Sequence, residues 1–178
     1  MGSVDKSIAI TFDDGYKDNI TEAAAALAAR GMTATFFITT SNIDGKSDKR
    51  WVNGDCRKYM SWDDITQLGS MGFEVGSHMI DHVDMSRLAD GELFRQLEGS
   101  RRRIIEKAGI TPKTCSYPYG GLRDRVIIAA KNAGYIGGCS SLKGLNTSAT
   151  VNYILKRTEI DGYDTINDFT NKLMGYYD

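Results

Sequence analysis

Thr11-Phe12-Asp13-Asp14-Gly15, directly after the run Ser7-Ile8-Ala9-Ile10, is the stretch on which the reading of this chain turns. A short apolar run that ends in turn residues reads as a buried strand. Acidic residues at its carboxyl end sit where parallel α/β folds keep their chemistry. Successive side chains of an extended backbone point to opposite faces, so Asp13 and Asp14 serve different partners. One of them can ligate a cation while the other stands beside it as a base. Gly15 suits a sharp turn or a close approach of backbone to ligand. Taken alone, Asp13-Asp14-Gly15 is also an ordinary turn that closes a strand.

A second strand-like run, Phe73-Glu74-Val75-Gly76, leads into His78-Met79-Ile80-Asp81-His82. The 178 residues contain 2 histidines, and these are both of them. On a helical turn, positions i and i+4 share a face and can aim two imidazoles at one cation. Two loops at neighbouring strand ends would thus assemble two histidines, one aspartate and a spare carboxylate, which is the donor set of a hydrolytic metal centre. The facial triad of non-haem iron oxygenases uses the same donors. The adjacent free carboxylate favours hydrolysis.

The composition sets bounds on this picture. Hydrophobic residues make up 41% and charged residues 25%, an ordinary globular balance in a chain long enough for one domain with a real core. A formal net charge of -1 gives no electrostatic reason for nucleic-acid or anionic-membrane binding. Arg101-Arg102-Arg103 on a helix points three ways and reads as a solvated face. Cys56, Cys115 and Cys139 form no CxxC pair, so neither a disulfide framework nor a thiolate metal site is indicated. No apolar run reaches the length of a membrane span, and residues 1–5 read as an expression scar or linker before a single domain over 6–178.

Further along, an Ala-rich helix is expected from Asn19 to Arg30, with Ile20, Ala24 and Leu27 on its buried face and a stop at Gly31. Met32 to Thr39 reads as a strand of β-branched and aromatic residues. Residues 41–60 read as a long polar loop in which Trp51 either stacks on a sugar or pins the loop to the body. Ser61-Trp62-Asp63-Asp64 has the form of a capping box and opens a helix to Met71. A longer helix runs from Ser86 or Asp90 to Ala108, with Phe94, Leu97, Arg101, Ile104 and Ala108 on one face. Thr114 to Tyr117 is then a strand, Leu122 to Ala133 a helix, and Tyr135 to Cys139 another strand. Tyr153 to Ile160 alternates like a strand, and Asp164 is placed to cap a last helix carrying Ile166, Phe169 and Leu173. Strands alternating with helices imply parallel pairing with right-handed crossovers, in an abbreviated barrel or a doubly wound open sheet.

The strings Thr11-Phe12-Asp13-Asp14-Gly15, Gly76-Ser77-His78-Met79-Ile80-Asp81-His82 and Ser116-Tyr117-Pro118-Tyr119-Gly120 resemble, in order and spacing, the polysaccharide deacetylases with NodB homology, carbohydrate esterase family four. That resemblance covers nearly the whole chain. It implies a distorted (β/α)7 barrel and a divalent metal held by Asp14, His78 and His82, zinc first, with cobalt, nickel or manganese as alternatives. It makes Asp13 the catalytic base and the backbone N–H of Tyr119 an oxyanion donor, with Tyr117, Pro118 and Tyr119 on the substrate side, where Trp51 of the 41–60 loop would join them as a stacking platform. The implied reaction removes N-acetyl groups from an N-acetylglucosamine polymer or oligomer, with O-deacetylation of a polysaccharide or glycan binding without turnover as alternatives. A secreted or cell-envelope location follows from the same resemblance, with a cytoplasmic one as the alternative.

The chain departs from the family pattern in three places. Met79 stands where a Ser or Thr hydroxyl usually braces the first metal histidine. Near Pro118, Lys113 and Thr114 are the nearest candidates for the arginine that usually orients the base, and neither fits well. No histidine follows His82 to serve as the usual general acid. Arg157, in Leu155-Lys156-Arg157-Thr158-Glu159, is the expected replacement for the arginine near Asp13, and Asp13 itself is left to act as both base and acid.

Overall fold

The structure, a computed structural model, describes residues 7–44, 47–48 and 57–176. In chain order the strands are β1 (Thr11–Phe12), β2 (Thr35–Ile38), β3 (Ser47–Asp48), β4 (Arg57–Lys58), β5 (Glu74–Ser77), β6 (Thr114–Ser116) and β7 (Gly137–Cys139). The helices are α1 (Ala25–Ala28), entered through a wider π-helical stretch at Asn19–Ala24, then α2 (Trp62–Ser70), α3 (Asp90–Ala108), α4 (Asp124–Asn132) and α5 (Ile166–Met174). Strands β1, β2, β5, β6 and β7 form one parallel sheet in that order, while β3 and β4 pair antiparallel. The sheet and its helices form an arc of a distorted (β/α) barrel.

Side-chain alternation along β2 shows why the layers form. Phe36 and Ile38 point into a core shared with Ile20, Ala24, Ile65, Leu68 and Val75 beneath α1 and α2. Phe37 points the other way, and its register partner Gly76 leaves the space its ring needs, since a Cβ on Gly76 would lie 2.4 Å from Phe37 Cδ1. A second core joins α3 and α4 to the sheet through Met79, Met85, Leu93, Leu97, Cys115, Tyr117, Val126 and Tyr135. Every parallel strand ends on the same edge, so the loops after β1, β5 and β6 converge there.

Several expected elements shift. The first strand is Thr11–Phe12 rather than Ser7–Ile10, whose Ile8 is exposed. Helix α2 has the expected capping box, Ser61 accepting from Asp64 N–H and Asp64 from Ser61 N–H. On α3 the buried stripe is Leu93, Gln96, Leu97, Ser100 and Ile104, and Phe94 is 43% exposed. The stretch from Tyr153 to Ile160 is not a strand. It touches β7 through a single bridge between Cys139 and Leu155, after which Arg157 N–H turns to Leu142 O. Helix α5 is capped by Thr165 with Asp168, while Asp164 instead accepts from Asp161 N–H and Lys172 Nζ. Ile166, Phe169 and Leu173 are exposed.

Candidate metal centre and its carboxylate partner

At the end of β1, Asp14 adopts φ 73° and Gly15 φ 86°, and Gly15 N–H returns to Asp13 O at 3.0 Å. A left-handed non-glycine residue is uncommon, and here it turns the second carboxylate away from the first. Asp14 Oδ1 faces the imidazoles, 3.5 Å from His78 Nε2 and 3.2 Å from His82 Nε2. Donor atoms of Asp14, His78 and His82 all lie within 4.8 Å of one another.

His78 follows β5, whose ladder continues through His78 N–H to Ile38 O at 2.8 Å. Its Nδ1 lies 2.8 Å from Ser116 O. A carbonyl only accepts, so Nδ1 carries the proton and the lone pair sits on Nε2. That lone pair faces carboxylate oxygens of Asp14 and, at 3.9 Å, Asp13. Burial holds the His78 pKa below its ordinary value, so the ring is neutral at pH 7. A neutral nitrogen lone pair opposite a carboxylate is repulsive unless a cation lies between them. The donor set therefore fits a divalent metal, with the Ser116 carbonyl in the outer position that usually orients a ligating histidine.

Asp13 has different partners. Arg157 grips it with both ends of the guanidinium, Nη1 to Oδ1 and Nη2 to Oδ2 at 2.8 Å each. The Ser116 hydroxyl donates to Asp13 Oδ2 at 3.0 Å and accepts from Arg157 Nη2 at 2.9 Å. Arg157 also donates to Thr11 Oγ1 and Ser140 O, and its guanidinium lies 5.9 Å from the Phe37 ring centroid. Burial pushes the Asp13 pKa up, but the Arg157 hydrogen bonds, the Arg157 charge and the Ser116 hydrogen bond together hold it below the usual carboxylate value.

The turn after β6 contributes Tyr119, at φ 57° and 68% exposed, whose ring meets His82 edge-on at 4.8 Å between centroids. Its neighbours correct the expected substrate side. The Tyr117 side chain is 1% exposed and packs in the core against Gly138, and Pro118 is buried, so neither ring lines an open surface. Alternation explains this, because Ser116 faces the site and the next residue must face away. Trp51 lies outside the described residues. Ser116 and Thr11 touch this cluster without having been singled out. Their signal is position alone, a small hydroxyl residue that opens β1 or closes β6 within a strand that carries a motif.

Comparison with known proteins agrees with the geometry. The family model described as polysaccharide deacetylase matches residues 2–137. The Bacillus subtilis protein YxkH is 26% identical over 156 residues, which is 88% of this chain and 52% of YxkH. The peptidoglycan-N-acetylglucosamine deacetylase PgdA of Listeria monocytogenes is 26% identical over 122 residues, 68% of this chain and 23% of PgdA. The chain thus spans about half of the first relative and about a quarter of the second. Among solved structures, the Streptococcus pyogenes deacetylase PplD, in complex with acetate, superposes with a TM-score of 0.80 over 96% of this chain and 72% of PplD. At 16% identity that likeness shows the fold.

Proposed function

The chain belongs to the polysaccharide deacetylase family, and on that premise we propose that it is a metal-dependent hydrolase removing N-acetyl groups from an N-acetylglucosamine-containing polysaccharide. The observation that carries this reading is the division of labour between adjacent carboxylates: Asp14 against two imidazoles, Asp13 against a guanidinium and a hydroxyl. Asp14, His78 and His82 hold a divalent cation, zinc first. When bound, such a cation acidifies water and polarises an acyl oxygen.

Asp13 takes the proton from the attacking water. Its lowered pKa makes it a weak base, suited to an acidified water and poorly suited to bulk water. Once protonated, the same carboxyl is placed to pass that proton on to the leaving nitrogen. A chain with no histidine after His82 thereby keeps a general acid. Arg157 and the Ser116 hydroxyl hold both Asp13 oxygens in place while the proton comes and goes. The backbone N–H of Tyr119 serves as an oxyanion donor and its exposed ring as a wall of the substrate cleft.

PgdA is named for peptidoglycan, which supports a cell-envelope polymer as substrate and a place of action at the envelope. Among the described residues no helix is long and apolar enough to cross a membrane. The test is acetate release from N-acetylglucosamine oligomers and from peptidoglycan, with added zinc or cobalt and again after EDTA. Release that needs the metal is expected. No release from any N-acetylated glycan at full metal occupancy refutes the proposal.

A further inference from the structure

Resting on the cation site just proposed, we infer that Gln96 of α3 is a positioning residue that sets the geometry of the loop carrying both histidines. That loop holds two non-glycine residues in left-handed backbone, Met79 at φ 66° and His82 at φ 50°. Such backbone persists only where its surroundings over-determine it.

Gln96 is 1% exposed and points at the loop from behind. Its Oε1 accepts from Ile80 N–H at 3.0 Å and Asp81 N–H at 3.1 Å. Its Nε2 donates to Asp81 Oδ2 at 2.8 Å and Glu92 Oε1 at 3.2 Å. With N–H groups on one side and carboxylates on the other, only this orientation of the amide satisfies both. Gly99 and Ser100, three and four residues on, share the same face of the helix. A Cβ on Gly99 would stand 2.8 Å from Ile80 Cδ1, so its absence lets α3 close onto the loop. Ser100 Oγ bonds Ser77 Oγ at 2.7 Å, and Ser77 Oγ accepts from Met79 N–H at 3.2 Å.

Consecutive N–H groups of Met79, Ile80 and Asp81, the residues between the histidines, are thus all satisfied by side chains, two of them by Gln96. The Met79 side chain drives into the core with Met85, Leu93 and Leu97 and anchors the loop on the same side. The loop is fastened along its back, which leaves His78 Nε2 and His82 Nε2 to converge on Asp14 at the front.

The experiment measures cobalt and zinc affinity of the whole chain by competition with a chromophoric chelator, alongside thermal unfolding of the metal-free protein. Gln96→Met keeps the side-chain length and removes its hydrogen bonds. It should weaken the cation by roughly 10- to 100-fold, the range for outer-shell partners of metal ligands, and excess cation should restore kcat. Asp81→Ala, at an exposed position where folding is not at risk, should weaken it toward the lower end of that range, roughly 10-fold. Wild-type affinity in Asp81→Ala, or in a folded Gln96→Met, overturns the inference even where thermal stability has dropped. A wild-type chain that binds neither cation overturns the site and the brace together, whereas tight wild-type binding with unchanged variants overturns the brace alone.

Discussion

Replacing Arg157 with alanine releases both oxygens of Asp13 at once, because the guanidinium makes paired 2.8 Å bonds to them. A fully buried pair broken from one side costs about 3–5 kcal/mol. Here the Arg157 and Asp13 side chains keep 23% and 27% exposure, so water takes up part of that penalty and a loss of about 1–3 kcal/mol in stability is expected. The catalytic cost comes from orientation. With only the Ser116 hydroxyl left to hold it, the carboxylate samples rotamers that point away from the water, and kcat should fall about 100-fold, equivalent to about 2.7 kcal/mol. Arg157→Lys keeps the charge without the planar fork and should recover only part of the loss. The assay is acetate release at saturating zinc, with metal content measured on the same preparation. Metal content should be unchanged, since Arg157 donates to Thr11, Asp13, Ser116 and Ser140 and to none of the proposed ligands. Full activity in the alanine variant, or activity lost only in proportion to metal, refutes the reasoning.

Asp13→Asn should retain metal and lose about 10²- to 10⁴-fold in kcat, the usual worth of a placed acid or base, and turnover near wild type would remove Asp13 from the chemistry. Asp64 tests a structural carboxylate. Burial pushes its pKa up, but Lys17 Nζ at 2.7 Å and the bonds from Ser61 hold it below the usual value. A depressed pKa contributes stability above the unfolded value, about 3.9, and loses it as pH falls through the folded value. Asp64→Asn should therefore cost about 1 kcal/mol at pH 7 in denaturant melts, and the gap should begin to narrow below pH ~4 and close only once pH falls below the folded-state value. A gap that does not change with pH counts against that pairing. Leu97→Ala, in the fully buried stripe of α3, should cost about 2–5 kcal/mol in the same melts, with a loss under 1 kcal/mol contradicting the packing described.

What could be read in advance was local. Asp13, Asp14, His78 and His82 sit in short strings whose chemistry and spacing carry their own meaning, and the loops that hold them follow short buried strands. What could not be read depended on distant partners. Gln96 ranks low in hydropathy and Phe94 high, yet Gln96 is the buried one because backbone N–H groups of another loop await it. The stretch from Tyr153 to Ile160 alternates as a strand should. It gives up the ladder after Leu155, where the chain turns to Leu142 and Arg157 reaches across to Asp13. Tyr117 was legible in principle: a serine facing the site at a strand end obliges its neighbour to face the core. Helix α5 has the apolar periodicity of a packed helix but leaves its apolar residues exposed, and periodicity alone does not say what a face meets.

The neighbouring acids give the sharpest test. Zinc titration of Asp13→Asn and Asp14→Asn under identical conditions separates the residue that holds a cation from the one that moves protons. Near-normal affinity in the Asp13 variant and affinity weakened by at least about 10-fold in the Asp14 variant are expected. Equal affinity in the two, or the reverse order, would contradict the assignment of Asp14, His78 and His82 as the metal ligands.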